Sequence, residues 1–185
     1  GYVITNYHVV EGCRSTPKIM YDDNPVDAKI VAKDSYLDLA LLKTSLRNTT
    51  YIPLSKDPPR KLQRVIAAGY PFGKYVSDDM KFTSGIISSL KGIGDDSTRL
   101  QIDAALNHGN SGGPIINEET GELVAVAVSG LRKDKTESIN FGIKTISVKN
   151  FLMSNQININ TFSKKYSRES IASLLEKSTL YTFCK

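Results

Sequence analysis

The stretch "NHGNSGGP", residues 107–114, decides how the rest of the chain is interpreted. It places turn-prone residues in succession from Gly109 to Gly113, with Ser111 the one serine among the glycines. A loop that only reverses direction does so with about two such residues. The additional turn-prone residues indicate that the backbone N–H groups of this loop are directed at one point. A flexible surface loop is the simpler interpretation, and the flanking segments decide between the two.

Short apolar and β-branched segments run outward from this loop in both directions. Each has the length of a strand and is bounded by Gly, Pro, Asn or Asp. No helical period interrupts them before residue 146, so they predict an all-β sandwich or barrel. The segments are residues 2–10, 17–23, 27–34, 37–45, 63–71, 81–90, 99–106, 113–118, 122–131 and 138–145.

A charged, proline-containing seam, "SKDPPRKLQ" at 55–63, divides these segments into two groups. It predicts a first β lobe over 1–58 and a second over 62–155, which a short helix at 146–156 closes. The tail, 156–185, contains an amphipathic helical pattern at 167–178 and a strand-like run, "TLYTFC", at 179–184. "NEETGEL", 117–123, predicts a hairpin turn within the second lobe.

Composition excludes several classes of function. The chain has 185 residues, a net charge of +5 and 40% hydrophobic residues, which suits a folded globular protein. Its basic residues are scattered without an aromatic platform, so we expect no nucleic-acid partner. No apolar run approaches the length of about 18 residues that a transmembrane helix needs. No metal or cofactor motif is present. Because the chain opens at Gly1 on a strand-like segment, we expect residues upstream of it.

Ser111 becomes a nucleophile only with a base that takes its proton and an acid that orients the base. The chain contains two histidines. His108 lies in the same loop, where its side chain is expected to point to solvent. His8 ends the apolar run "YVITNYHVV", and a polar group in that position needs a partner or an edge. His8 is therefore the candidate base.

Two aspartates compete as the orienting acid. Asp38 is a single carboxylate among leucines in "LDLALLK", and a charge within a core strand is costly unless it is paired. An imidazole would supply that pairing. Asp103, in "QIDAAL", lies nearer the serine in sequence, but orienting the loop or pairing locally is the role we expect of it. Asp38 is the better candidate.

Five segments, "TNYHVV", "DLALLK", "AAGYPFG", "FTSGIISSL" and "DAALNHGNSGGP", resemble in content and order those of trypsin-like serine proteases of the Deg/HtrA type. The resemblance covers about residues 1–155. It implies two six-stranded-type antiparallel β-barrels, with His8, Asp38 and Ser111 as the catalytic triad. It also implies an oxyanion hole formed by the N–H groups of Gly109 and Ser111, with Asn110 shaping the turn between them.

The chain departs from this family at both ends. Only residues 1–7 precede His8, so the first barrel is expected to be incomplete at its N-terminus, with "TLYTFC" a candidate to fill the gap. An open sheet edge would otherwise invite pairing with another chain. The tail, 156–185, is too short for the peptide-binding PDZ domain that commonly follows the protease. Behaviour that depends on such a domain is not carried over.

The resemblance also places Ala105, six residues before the serine, at the base of the primary specificity pocket, with Leu106 beside it. Neither residue carries a charge, so a basic substrate side chain would be desolvated without compensation. Cleavage after small or medium aliphatic residues is expected.

Cys13 and Cys184 are two unrelated thiols or one disulfide that attaches the tail to the first lobe. A disulfide would indicate an oxidising compartment, such as the bacterial periplasm or the extracellular space. That compartment is where Deg/HtrA-type proteases usually work.

A serine endopeptidase acting on polypeptide substrates, with a role in protein quality control, is the leading hypothesis. A catalytically silent peptide-binding module that kept the fold is the alternative, and an esterase with the same triad is a third. Oligomeric state is left open, with a homo-oligomer among the possibilities.

Overall fold

The computed structural model describes residues 1–47, 50–71, 79–128, 139–159, 161 and 165–184. The predicted strands at 122–131 and 138–145, and the motif "AAGYPFG" at 67–73, lie partly outside these ranges. Eleven strands and three α-helices are present in the described part of the chain. The longest of these helices has 11 residues, and no helix there is long and apolar enough to cross a bilayer.

The first lobe is an open five-stranded antiparallel sheet in the order β1-β4-β3-β2-β11. Its last strand comes from the opposite end of the chain and pairs with β2, with Thr182 opposite Ile19. A four-residue helix, α1, follows β1. The elements are β1 (Tyr2–Thr5), α1 (Tyr7–Val10), β2 (Lys18–Tyr21), β3 (Asn24–Asp34), β4 (Leu39–Thr44) and β11 (Thr182–Phe183).

The second lobe is a closed six-stranded antiparallel barrel in the order β10-β7-β6-β5-β8-β9. Its interior is packed with aliphatic side chains such as Val65, Ile87, Leu100 and Ile115. The turn at 117–123 joins β8 to β9 with Gly121 at φ 65°, as the hairpin pattern predicts. The strands are β5 (Arg64–Gly69), β6 (Lys81–Ser89), β7 (Arg99–Ile102), β8 (Pro114–Asn117), β9 (Leu123–Val128) and β10 (Asn140–Lys144).

Strand β4 connects the cores of the two lobes because it is buried on both faces. Successive side chains of a strand point to opposite faces. Leu39 and Leu41 pack with Val126 of β9 in a core between the two lobes, which we refer to as the interlobe core. Ala40 and Leu42 face the core of the first lobe. Helix α2 (Thr145–Ser154) closes the interlobe core with Val148 and Phe151, and α3 (Arg168–Ser178) packs on the barrel.

The prediction of an all-β, trypsin-like double-barrel fold with an incomplete first barrel and short C-terminal helices is confirmed by one open sheet beside one closed barrel. Two local predictions are wrong. The strand at 2–10 ends at Thr5, and His8 lies on α1. Asp38 does not lie within a strand but in the turn before β4, at φ 59°. Its hydrogen bonds to α1, described below, give the reason.

Candidate active site

The turn between β1 and α1 orients the candidate base. Asn6 is buried, and its side-chain amide donates to the Asp38 carbonyl oxygen at 3.0 Å. The backbone N–H of Tyr7 donates to the same oxygen at 3.2 Å. These two bonds fix the first residues of α1 against the turn that carries Asp38. His8 is thereby presented at the end of β1 rather than along it.

The Asp38 carboxylate binds His8 through both oxygens. Oδ2 lies 2.8 Å from Nδ1 of the His8 ring, and Oδ1 accepts the backbone N–H of His8 at 3.0 Å. The aspartate side chain is 14% exposed and the histidine side chain 44%. This pairing favours a proton on Nδ1 and leaves Nε2 to serve as a base. It also explains why Asp38 lies in a turn, since both carboxylate oxygens are aimed at one short helix.

The loop at 107–114, which we refer to as the serine loop, is held by its own asparagine. The N–H of Asn110 donates to the carbonyl of Asn107 at 3.0 Å, and Oδ1 of Asn110 accepts the N–H of Asn107 at 3.1 Å. The Asn110 side chain is buried. Gly109, at φ 98°, and Gly112, at φ 81°, adopt backbone conformations that favour glycine. The surplus of turn residues therefore builds a fixed loop.

Gly112 is the point at which the serine loop contacts the first lobe. A Cβ atom there would lie 3.0 Å from the backbone nitrogen of Asn6 and closer still to Oγ1 of Thr5. On the other side, the N–H of Gly112 donates to the Ala127 carbonyl in β9 at 2.9 Å. Ser111 is thus held next to the turn that leads to His8.

The candidate base and the serine loop face a common cleft between the lobes, with a volume of about 910 Å³. His8, Gly109, Ser111 and Gly112 line it, and so does His108, whose side chain is exposed. We refer to it as the interlobe cleft. Among the described residues, no cluster of three or more His, Cys, Asp or Glu side chains could hold a metal ion.

Three other sequence candidates lie apart from this arrangement. Oδ1 of Asp103 accepts the N–H of Ile86 at 2.6 Å, so that carboxylate is committed locally. Leu106 is buried in the barrel core, and the carbonyl of Ala105 accepts the Thr83 hydroxyl at 2.9 Å. Neither Ala105 nor Leu106 is among the described residues that line the interlobe cleft. Their assignment to a specificity pocket stays a prediction.

Sequence reasoning missed several residues of the site. Asn6 has a weak sequence signal, a buried amide at the end of an apolar strand, which calls for a hydrogen-bond partner. Tyr70, Leu180 and Tyr181 also line the cleft. Burial raises the pKa of Tyr70, and the carboxylates of Asp79 and Glu176 raise it further.

Cys13 and Cys184 are joined by a disulfide, with Cα atoms 5.3 Å apart. Cys13 lies just beyond α1, and Sγ of Cys184 lies 3.8 Å from the Val9 carbonyl oxygen. The end of the chain is thus attached beside the helix that carries His8.

Comparison with known proteins identifies the family of this chain. A family model described as trypsin-like peptidase domain matches residues 1–126, and the chain belongs to this family. Within it, the chain is of the Deg/HtrA type, as the similarity to two named relatives shows. The serine protease Do-like HtrA of Bacillus subtilis is 39% identical over 158 residues, which are 80% of this chain and 34% of that protein.

Two further comparisons point the same way. The periplasmic serine endoprotease DegP of Salmonella typhimurium is 37% identical over 157 residues, 81% of this chain and 32% of its own. A crystal structure of the serine endoprotease from Yersinia pestis matches with a TM-score of 0.71 at 31% identity, covering 85% of this chain and 54% of that one. The chain spans about one third of the length of these two curated relatives.

Proposed function

We propose that this protein is a serine endopeptidase that cleaves polypeptides through Ser111, His8 and Asp38. The observation that carries the proposal is the pairing of His8 Nδ1 with Asp38 Oδ2 at 2.8 Å, since His8 lines the same cleft as Ser111. Each group comes from a different segment, so the sequence alone does not bring them together. The named activities of the similar proteins support the same function.

The reaction follows the acyl-enzyme route. Oγ of Ser111 attacks the peptide carbonyl carbon while Nε2 of His8 takes its proton, and Asp38 stabilises the imidazolium that forms. The C–N bond then breaks as His8 returns the proton to the leaving amine. Water, deprotonated by His8, attacks the ester, and the serine leaves with the proton restored. Asp38 keeps the ring in one tautomer through both halves.

The negative oxygen of each tetrahedral intermediate requires N–H donors. We assign this role to the N–H groups of Gly109 and Ser111. The N–H groups of Asn110, Gly112 and Gly113 are committed to the carbonyls of Asn107, Ala127 and Asn110, at 2.9–3.0 Å. Those three N–H groups stabilise the loop. Loss of one oxyanion donor typically costs about 2.7–4 kcal/mol of transition-state stabilisation.

The proposed specificity is cleavage after small or medium aliphatic residues, since the Ala105–Leu106 segment carries no charge. The proposed location is the periplasm or the extracellular space. The relatives named as periplasmic support it, and so does the disulfide, which persists in an oxidising compartment. A role in protein quality control belongs to the same proposal.

Replacement of the nucleophile tests the assignment. Ser111→Ala should lower peptide cleavage at least about 10⁴-fold, because the acyl-enzyme no longer forms. Cleavage of casein and labelling of the protein by a fluorophosphonate probe are the measurements. The matched control is Ser88→Ala, an exposed serine on β6 outside the cleft, which should keep wild-type values.

The outcomes separate the three candidate functions. Labelling together with casein cleavage supports the endopeptidase, whereas labelling with ester hydrolysis alone supports the esterase. A wild-type protein that is neither labelled nor active, yet binds peptides, would be the silent binding module. Undiminished casein cleavage by Ser111→Ala would show that the assigned nucleophile is wrong.

A further inference from the structure

The segment that follows α3 enters the interlobe cleft. Residues 179–183, which we refer to as the C-terminal strap, lie beyond the residues matched by the family model. Thr179, Leu180, Tyr181 and Thr182 line the same cleft as His8 and Ser111. This part of the cleft wall therefore comes from outside the segment that the family model matches.

The C-terminal strap is fixed to both lobes. At its start, Ile171 and Leu175 of α3 are buried against Ala68 and Ile116 of the barrel. At its end, β11 pairs with β2, and the Tyr181 carbonyl accepts the N–H of Met20 at 2.9 Å. The disulfide through Cys184 holds the same end beside α1. A segment held at both ends presents its side chains in a defined arrangement, which lowers the entropic cost of binding.

Two aromatic residues that line this part of the cleft, Tyr70 and Tyr181, are in ring contact. The Tyr181 ring lies edge-on to Tyr70, with centroids 6.0 Å apart and an interplanar angle of 66°. It stacks on Phe183 at 5.6 Å and 15°. Tyr70 follows Gly69, at which a Cβ would lie 2.9 Å from Nδ2 of Asn110 in the serine loop. The segment that carries Tyr70 thus packs against the loop that carries Ser111.

We propose that the C-terminal strap forms a substrate subsite, separate from the primary pocket, in which Tyr181 is a specificity-determining residue for a large apolar or aromatic substrate side chain. Leu180 and Tyr70 complete its surface, and all three residues are half-buried, so they present apolar area to the cleft. Aromatic walls favour edge-to-face and offset contacts with another ring. This inference rests on the proposed function, since it names a substrate contact of the same site.

The test measures selectivity at each substrate position. Peptides that carry Phe or Gly in turn at each position on both sides of the scissile bond are cleaved by the wild type, Tyr181→Ala and Tyr181→Phe. At one position, Tyr181→Ala should lower the Phe-to-Gly ratio of kcat/KM about tenfold, mainly through KM. Tyr181→Phe keeps the ring and should keep the ratio. Tyr36→Ala, an 82% exposed tyrosine outside the cleft, is the matched control.

A binding measurement makes the result independent of catalysis. Fluorescence polarisation gives the Kd of a Phe-containing and a Gly-containing peptide for Ser111→Ala, alone and combined with Tyr181→Ala. The combined variant should lose about tenfold affinity for the Phe peptide only. Ratios that stay unchanged, or that fall equally at every position, would overturn the subsite. Wild-type protein without cleavage or fluorophosphonate labelling would instead overturn the proposed function, and the binding ratios would still decide the subsite.

Discussion

At the scale of single residues, Asp38 acts on both the backbone and the ring of His8. Its two oxygens accept from the N–H and from Nδ1 of one residue, at 3.0 and 2.8 Å. The backbone N–H of His8 can only donate, so an amide in this place would turn its oxygen to that group and its NH₂ to Nδ1. The ring would then lose the tautomer that leaves Nε2 as the base.

Asp38→Asn should therefore lower kcat about 10³- to 10⁴-fold without unfolding the protein. Steady-state cleavage of a peptide, with circular dichroism as the folding check, measures the effect. Asp103→Asn is the matched control, because the Asp103 carboxylate accepts from Ile86 and lies outside the described cleft. If Asp103→Asn lost activity while Asp38→Asn kept it, the assigned acid would be wrong.

Sequence reasoning identifies the residue types at this scale but not their setting. The motif around Ser111, with His8 and Asp38 in order, is enough to nominate these three residues, and their roles stay a prediction. The position of Asp38 in a turn at φ 59° was missed, because leucines on both sides favour a core strand. What decides against the strand is a contact with Asn6, Tyr7 and His8, which are distant in sequence.

At the scale of elements, the docking of the serine loop on the end of β1 sets the geometry of the site. Gly112 allows this docking, because its φ is 81° and a Cβ would contact Thr5 and Asn6. Left-handed backbone costs about 1–3 kcal/mol for most residues when the surroundings impose it. A side chain at position 112 would therefore displace either the serine loop or the end of β1.

Gly112→Ala should thus destabilise the protein by about 1–3 kcal/mol and lower kcat, since Ser111 is the neighbouring residue. Urea unfolding followed by circular dichroism gives the first quantity, and peptide cleavage the second. Gly12→Ala is the control, because a Cβ at Gly12 would have nothing within 4 Å and its φ is not in the positive region. Equal effects of the two substitutions would contradict the docking argument.

The strands themselves could be predicted from sequence, since alternation and turn residues are local signals. Their partners could not. The sequence predicts a strand-like run at 179–184 and makes it a candidate to fill the first lobe, but nothing local in the sequence selects β2 as its neighbour. The four-residue helix α1 was also missed, because an apolar run this short does not distinguish a helical turn from the end of a strand.

At the scale of the whole molecule, the two ends of the chain are attached to each other. The disulfide between Cys13 and Cys184 spans a sequence separation of 171 residues. It holds β11 on β2, where the pairing covers only two residues. A pairing this short is marginal without a covalent link, since two-stranded contacts in water are weak.

Reduction should therefore release the C-terminal strap and destabilise the protein by about 2–5 kcal/mol, the usual effect of removing a native disulfide from a small secreted domain. Urea unfolding with and without reductant measures the change. A double variant, Cys13→Ser with Cys184→Ser, should match the reduced wild type and show no response to reductant. Two alkyl groups added to the denatured protein without reductant would mean free thiols, and the argument for an oxidising compartment would fall with the bond.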